Sequence, residues 1–124
     1  MLRAKVLPEV LGQIVGDGIT SSMLLTQDGA LMGSVGDSVD HKVVGAIAAH
    51  TWGEYAHAGK DFAHDNELQA LLVELEHGRI ALAPAGQNFL VCAYASEEAP
   101  VGMLKAKVQA LGGFLATSLD QIQV

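Results

Sequence analysis

The chain is poor in cysteine, proline, aromatic residues and cations, and each shortage removes a class of protein. Of its 124 residues, one is Cys, three are Pro and six are aromatic. The lone Cys92 excludes an intrachain disulfide and suits a reducing compartment. It lies in Phe89-Leu90-Val91-Cys92-Ala93-Tyr94, where a small buried hydrophobe is expected rather than a nucleophile, since a reactive thiol needs an electropositive, accessible setting. With so few aromatics, the core must be built from Leu, Val, Ile, Ala and Met, and half of the chain is apolar. Seven Lys and Arg stand against fourteen Asp and Glu, a net charge of −7. The cations are scattered, so nucleic acid is not an expected partner. No apolar run approaches the roughly eighteen residues of a membrane span. Arg3 and Lys5 are followed by Pro8 and Glu9, where a signal peptide would be apolar. Leu2 follows Met1 and Cys92 is far from the last residue, so neither myristoylation nor prenylation is signalled. Direct membrane insertion is therefore not expected, and a partner would have to bring the chain to a membrane.

Chemistry-bearing motifs are also scarce. Gly12–Gly18 and Gly33–Ser38 are glycine-rich, but neither ends in the Gly-Lys-Ser/Thr of a phosphate loop, and Asp37 already occupies the place of a bound anion. His50, His57 and His64 recur every seven residues, with Glu54 on the same helical face as His50 and His57. A metal site can be drawn from them, but there is no His-Glu-x-x-His and no Cys-x-x-Cys, and surface histidines are the plainer reading. Ser21 and Ser38 lack a nucleophile elbow. No catalytic residue, cofactor or metal is expected. Glu54, Asp61, Asp65, Glu67, Glu74 and Glu76 concentrate acidity in the middle third, either as a surface for a basic partner or as a solvated face.

One domain spanning residues 1–124 is expected, long enough to bury roughly two thirds of its unfolded surface without staples. Leu7, Val10, Leu11 and Ile14 mark an amphipathic helix over Leu2–Val15, with Pro8 delaying its first turn. Ile19–Leu25 and Ala30–Val35 form a hairpin around Gln27-Asp28-Gly29. Asp37 or Ser38 caps a central helix that runs to about Ala58, with Asp40 as the capping-box acid. A polar loop over Gly59–Glu67 leads to strands at Leu68–Leu75, Ile80–Pro84 and Phe89–Ala95, turned at His77-Gly78 and Ala85–Asn88. A last helix begins at Pro100, its apolar stripe being Val101, Leu104, Val108, Leu111 and Leu115. Gly112-Gly113 interrupts it, at roughly 1 kcal/mol per glycine unless backbone packing requires one. Leu68–Leu75 and Phe89–Tyr94 are apolar on both alternating sets, which calls for helices on both faces of the sheet. The fold class is an α/β three-layer sandwich of order α-β-β-α-β-β-β-α.

The run Gly102-Met103-Leu104-Lys105-Ala106-Lys107-Val108-Gln109-Ala110-Leu111 resembles the last helix of the roadblock/dynein light chain family, in particular of its members in the late endosomal and lysosomal adaptor complex, Ragulator. Asp40–Tyr55 resembles the central helix of the same proteins at Val43, Ala46, Ile47, Ala48, Trp52 and Tyr55. Gly29, Leu31, Asp65-Asn66 and Gly78-Arg79 also match, so the resemblance covers nearly the whole chain. It implies the roadblock fold, a five-stranded antiparallel sheet with one helix on one face and two on the other. It further implies a non-catalytic scaffold that heterodimerises with a second roadblock-domain subunit and is held by a lipidated anchor subunit on the cytoplasmic face of late endosomes and lysosomes. There such a scaffold supports Rag GTPases, mTOR complex 1 activation and MAP kinase pathway proteins. The alternative is a homodimeric roadblock regulator of a small GTPase or a dynein motor.

Two features of the residues bear on pairing. The central helix is rich in Gly and Ala, which let another backbone approach, although a helix lying on its own sheet would use the same residues. The strand Leu68–Leu75 would be a long apolar edge without internal proline, a hazard unless another strand pairs with it. The resemblance implies dimerisation by these two elements. The expected protein interface is accordingly Val43, Ala46, Ile47, Ala49, His50 and Gly53 on the helix, with Leu68, Ala70, Leu71, Leu72, Val73 and Glu74 on the strand.

Overall fold

A computed structural model describes residues 6–36, 40–63 and 69–122, without the side chains of 56–63 and 118–122. The chain runs α1 (Leu7–Gly12), β1 (Ile19–Thr26), β2 (Leu31–Val35), α2 (His41–Ala63), β3 (Leu71–Glu74), β4 (Arg79–Ala85), β5 (Phe89–Ala95) and α3 (Val101–Ile122). The strands form one antiparallel sheet in the order β2-β1-β5-β4-β3. Helices cover both faces, so the three-layer expectation and the element order agree with the structure.

Alternation along the strands builds two cores. Leu24, Ala81, Ala83, Ala85, Val91, Ala93 and Ala95 point to one face and meet Leu11 of α1 and Leu104, Val108, Leu111 and Leu115 of α3. Met23, Leu25, Ile80, Leu82, Leu90 and Cys92 point to the other and meet Ala48, Ala49 and Trp52 of α2. The alanine floor of β4 and β5 leaves room for α3 to lie close. A Cβ on Gly112 would stand 2.4 Å from the carbonyl oxygen of Pro84. The expected interruption at Gly112-Gly113 does not occur: α3 is continuous, and Gly112 is required by this close approach.

Local chemistry sets the ends. The β1–β2 turn closes with the Thr26 N–H donating to the Ala30 carbonyl at 2.9 Å, and Gly29 takes the left-handed conformation the turn needs, with φ of 103°. The Thr26 hydroxyl donates to Asp28, and this bond first, the Ala30 N–H second, holds the Asp28 carboxyl below its usual pKa. Helix α1 starts only at Leu7, with Pro8 in its first turn, and ends at Gly12 rather than Val15. At α2 the cap is Asp40 itself, whose Oδ1 accepts from the N–H groups of Lys42 and Val43 at 3.1 and 3.3 Å. Asp37 and Ser38 lie outside the described residues. Helix α2 runs on to Ala63 through the start of the expected loop, since a single Gly59 costs only about 1 kcal/mol in a helix of otherwise ordinary formers.

Ser22 is fully buried, and its hydroxyl has no hydrogen-bond partner among the described residues. An unsatisfied buried hydroxyl is costly, so Ser22→Ala is expected to raise stability by about 1 kcal/mol. The check is a higher urea midpoint at unchanged slope; a lower midpoint would reveal a hydrogen bond to ordered water.

Candidate protein interface

Among the described residues, two surfaces remain uncovered where pairing was expected. The first is the outer side of α2. Gly45, Ala48, Ala49 and Trp52 face the sheet, with Gly45 seated on Leu25 and Trp52 only 4% exposed. The opposite side carries Val43 at 53% and Ile47 at 49% exposure, with Ala46, His50, Gly53 and Glu54 also exposed. Of the six helix residues expected at an interface, five lie on this outer side. Ala49 does not: it is buried against the sheet and packs near Gly29 of the β1–β2 turn. Trp52 decides the helix rotation because its large side chain must be buried, and Ala49 turns inward with it. Tyr55, 58% exposed, extends the apolar flank of the helix. Its spacing of eight from Ile47 was the available signal.

The second surface is the edge of β3. Glu74 pairs with Arg79 and Leu71 with Leu82 of β4, and among the described residues no strand lies on the far side. Leu71, Leu72 and Val73 are half-buried there and Glu74 is exposed. The strand is shorter than expected. Ala70 precedes it without strand geometry and Leu68 lies outside the described residues. In this register Gln69 would face Pro84, which has no N–H to give, so the ladder stops short of it. The other end is pinned by Arg79, whose guanidinium lies 2.9 Å from Glu74 and donates to the Ala99 carbonyl at 2.6 Å.

Little here resembles a reaction centre. His50 and Glu54 approach to 3.5 Å, but both are exposed, and a pair of this kind contributes about 0–1 kcal/mol. His57 and His64 fall outside the described side chains. Among the described residues no cluster of His, Cys, Asp or Glu could hold a metal, and no helix is long and apolar enough to cross a membrane. Cys92 is fully buried, and desolvation pushes its thiol from 9.0 up to about 12. A shift of this size lowers the thiolate fraction at pH 8 about a thousandfold. Iodoacetamide is therefore expected to label Cys92 only after denaturation; prompt labelling of the native protein would show that the β5 core opens.

Comparison with known proteins matches this architecture. The Roadblock/LC7 domain model matches residues 12–95. A Caenorhabditis elegans protein named Ragulator complex protein LAMTOR2 homolog is 30% identical over 118 residues, covering 93% of this chain and 90% of that one. Among solved structures, a Roadblock/LC7 domain from Streptomyces avermitilis superposes with a TM-score of 0.81 at 22% identity, covering 91% of this chain and 97% of its own. Myxococcus xanthus MglB superposes at 0.83 and 13% identity, covering 100% and 96%. These last two likenesses concern the fold alone. By the family model and by its identity to the LAMTOR2 homolog across almost all of both chains, this protein belongs to the Roadblock/LC7 family.

Proposed function

We propose that the chain is a non-catalytic scaffold subunit that pairs with a second roadblock protein through the β3 edge and the outer side of α2. The observation that carries this reading is the conjunction of a strand edge, Leu71–Glu74, that no described strand pairs with and an exposed apolar helix face at Val43 and Ile47. Strand addition would satisfy the free backbone groups of β3, and helix packing would remove Val43 and Ile47 from water. The likeness to the LAMTOR2 homolog supports a place in a Ragulator-like complex. In that setting a lipidated anchor subunit holds the pair on the late endosomal or lysosomal surface. The pair then supports Rag GTPases, mTOR complex 1 activation and MAP kinase signalling by raising the local concentration of its partners.

Affinity purification of the tagged chain from its own cells, read by mass spectrometry, tests the proposal. Recovery of a second roadblock protein in one-to-one ratio supports it. A discrete homodimer that recovers a GTPase or a motor chain without a roadblock partner would replace it with a homodimeric regulator.

A further inference from the structure

Helix α3 is a surface helix whose outer side carries almost no charge. Opposite the buried stripe of Leu104, Val108, Leu111 and Leu115 stand Gly102, Ala106, Ala110, Gly113 and Phe114, all exposed, Phe114 at 54%. A helix that meets water normally shows a charged side opposite its apolar stripe, and one that is small and apolar there as well is one that something covers. The charges that do occur are of one sign. Lys105 and Lys107 are cationic, and no carboxylate stands between Val101 and Leu119, in a chain whose net charge is −7. Lys107 is engaged by Asp17 at 3.4 Å. Lys105 is exposed and has no ion-pair or hydrogen-bond partner among the described residues.

Beside Lys105 lies a groove of about 220 Å³ between α3 and β3, floored by Leu71, Leu72, Ala81 and Val108 and rimmed by Val101. Val101 was expected in the buried stripe but is 44% exposed, because it stands at this opening in the first turn of α3. The volume is below the roughly 300–1,000 Å³ of small-molecule and cofactor sites. It suits one or two apolar side chains of a polypeptide.

We infer that α3 and this groove are a docking face for an acidic amphipathic segment of a partner polypeptide. Its apolar side chains enter the groove and lie along Ala106 and Ala110, and a carboxylate meets Lys105. Small residues on the outer side of α3 let the segment approach closely. The face lies across the sheet from α2, but the floor of its groove shares Leu71 and Leu72 with the β3 edge proposed above for pairing, so the test uses the unpaired chain.

The test uses the full chain, methyl-labelled for NMR, and two synthetic 14-residue amphipathic peptides. They share Leu and Phe positions, with every polar position Glu in one and Lys in the other. The Glu peptide is expected to shift the methyl signals of Val101, Val108 and Leu72 and to bind about tenfold tighter than the Lys peptide, against the net charge of the protein. Lys105→Glu should erase that preference, and Ala106→Arg should weaken both peptides. Both substitutions are at exposed positions, and an unchanged circular dichroism spectrum and unfolding midpoint confirm that each variant is folded. The inference is overturned by any of four results. These are no shift with either peptide, equal or tighter binding of the Lys peptide, shifts confined to Val43 and Ile47, or self-association through α3 without peptide.

Discussion

Ile47→Arg is expected to weaken pairing with the second roadblock chain by about 30-fold or more while leaving the fold intact. Ile47 is 49% exposed on the outer side of α2, so the free protein loses little when a long cation replaces it, roughly within ±0.5 kcal/mol. In the pair the same side chain would be desolvated without a partner, and truncation or charging of a central apolar anchor typically costs about 2 kcal/mol or more of binding energy. Met32→Arg is the matched control. Met32 is 51% exposed on β2, at the opposite edge of the sheet, and its replacement should leave affinity unchanged. Isothermal titration of the two variants against the partner separates the outcomes. Equal affinities would remove α2 from the interface.

Adjacent glycines in α3 are expected to respond in opposite directions. Gly113 is exposed and a Cβ there meets nothing within 4 Å, so Gly113→Ala gains the helix propensity difference of about 1 kcal/mol. For a domain of this size that is a rise in melting temperature of about 3–5 °C. Gly112→Ala gains the same propensity, but its Cβ would lie 2.4 Å from the Pro84 carbonyl oxygen. That oxygen belongs to the backbone of β4 and cannot rotate away. The helix must lift from the alanine floor, loosening Val108, Leu111 and Leu115, and overpacking of this kind costs about 1–3 kcal/mol. Thermal unfolding of both variants is the check. A stabilising Gly112→Ala would mean that α3 does not sit this close to β4.

Gly112 also marks where sequence reading stops. The stripe Leu104, Val108, Leu111 and Leu115 is local information, because a 3.6-residue period shows itself within four turns, and all four residues are buried. The turn at Gln27-Asp28-Gly29 is equally local, since the left-handed glycine and the Thr26 and Asp28 side chains act within five residues. The need for Gly112 depends on Pro84, and the length of β3 depends on the same proline through its register with β4. Neither relation leaves a trace in the neighbouring residues. For the interface, the apolar content of α2 was legible but its rotation was not. Val43, Ile47, Ala48 and Ala49 make the helix apolar on more than one side, and only the burial of Trp52 separates Ala49, which is covered, from Ala46, which is free. The exposed side of Val101 was hidden for a similar reason, since periodicity assigns a residue to a stripe without saying how far the sheet beneath extends.

Amide hydrogen exchange, followed by mass spectrometry, on the chain alone and in its purified complex tests whether β3 and α2 are the pairing surface. Pairing through β3 predicts slower exchange on complex formation at Leu71–Glu74 and across the first half of α2, with Leu31–Val35 of the opposite edge unchanged. Protection that appears at Leu31–Val35 while Leu71–Glu74 exchanges as in the free chain would contradict it.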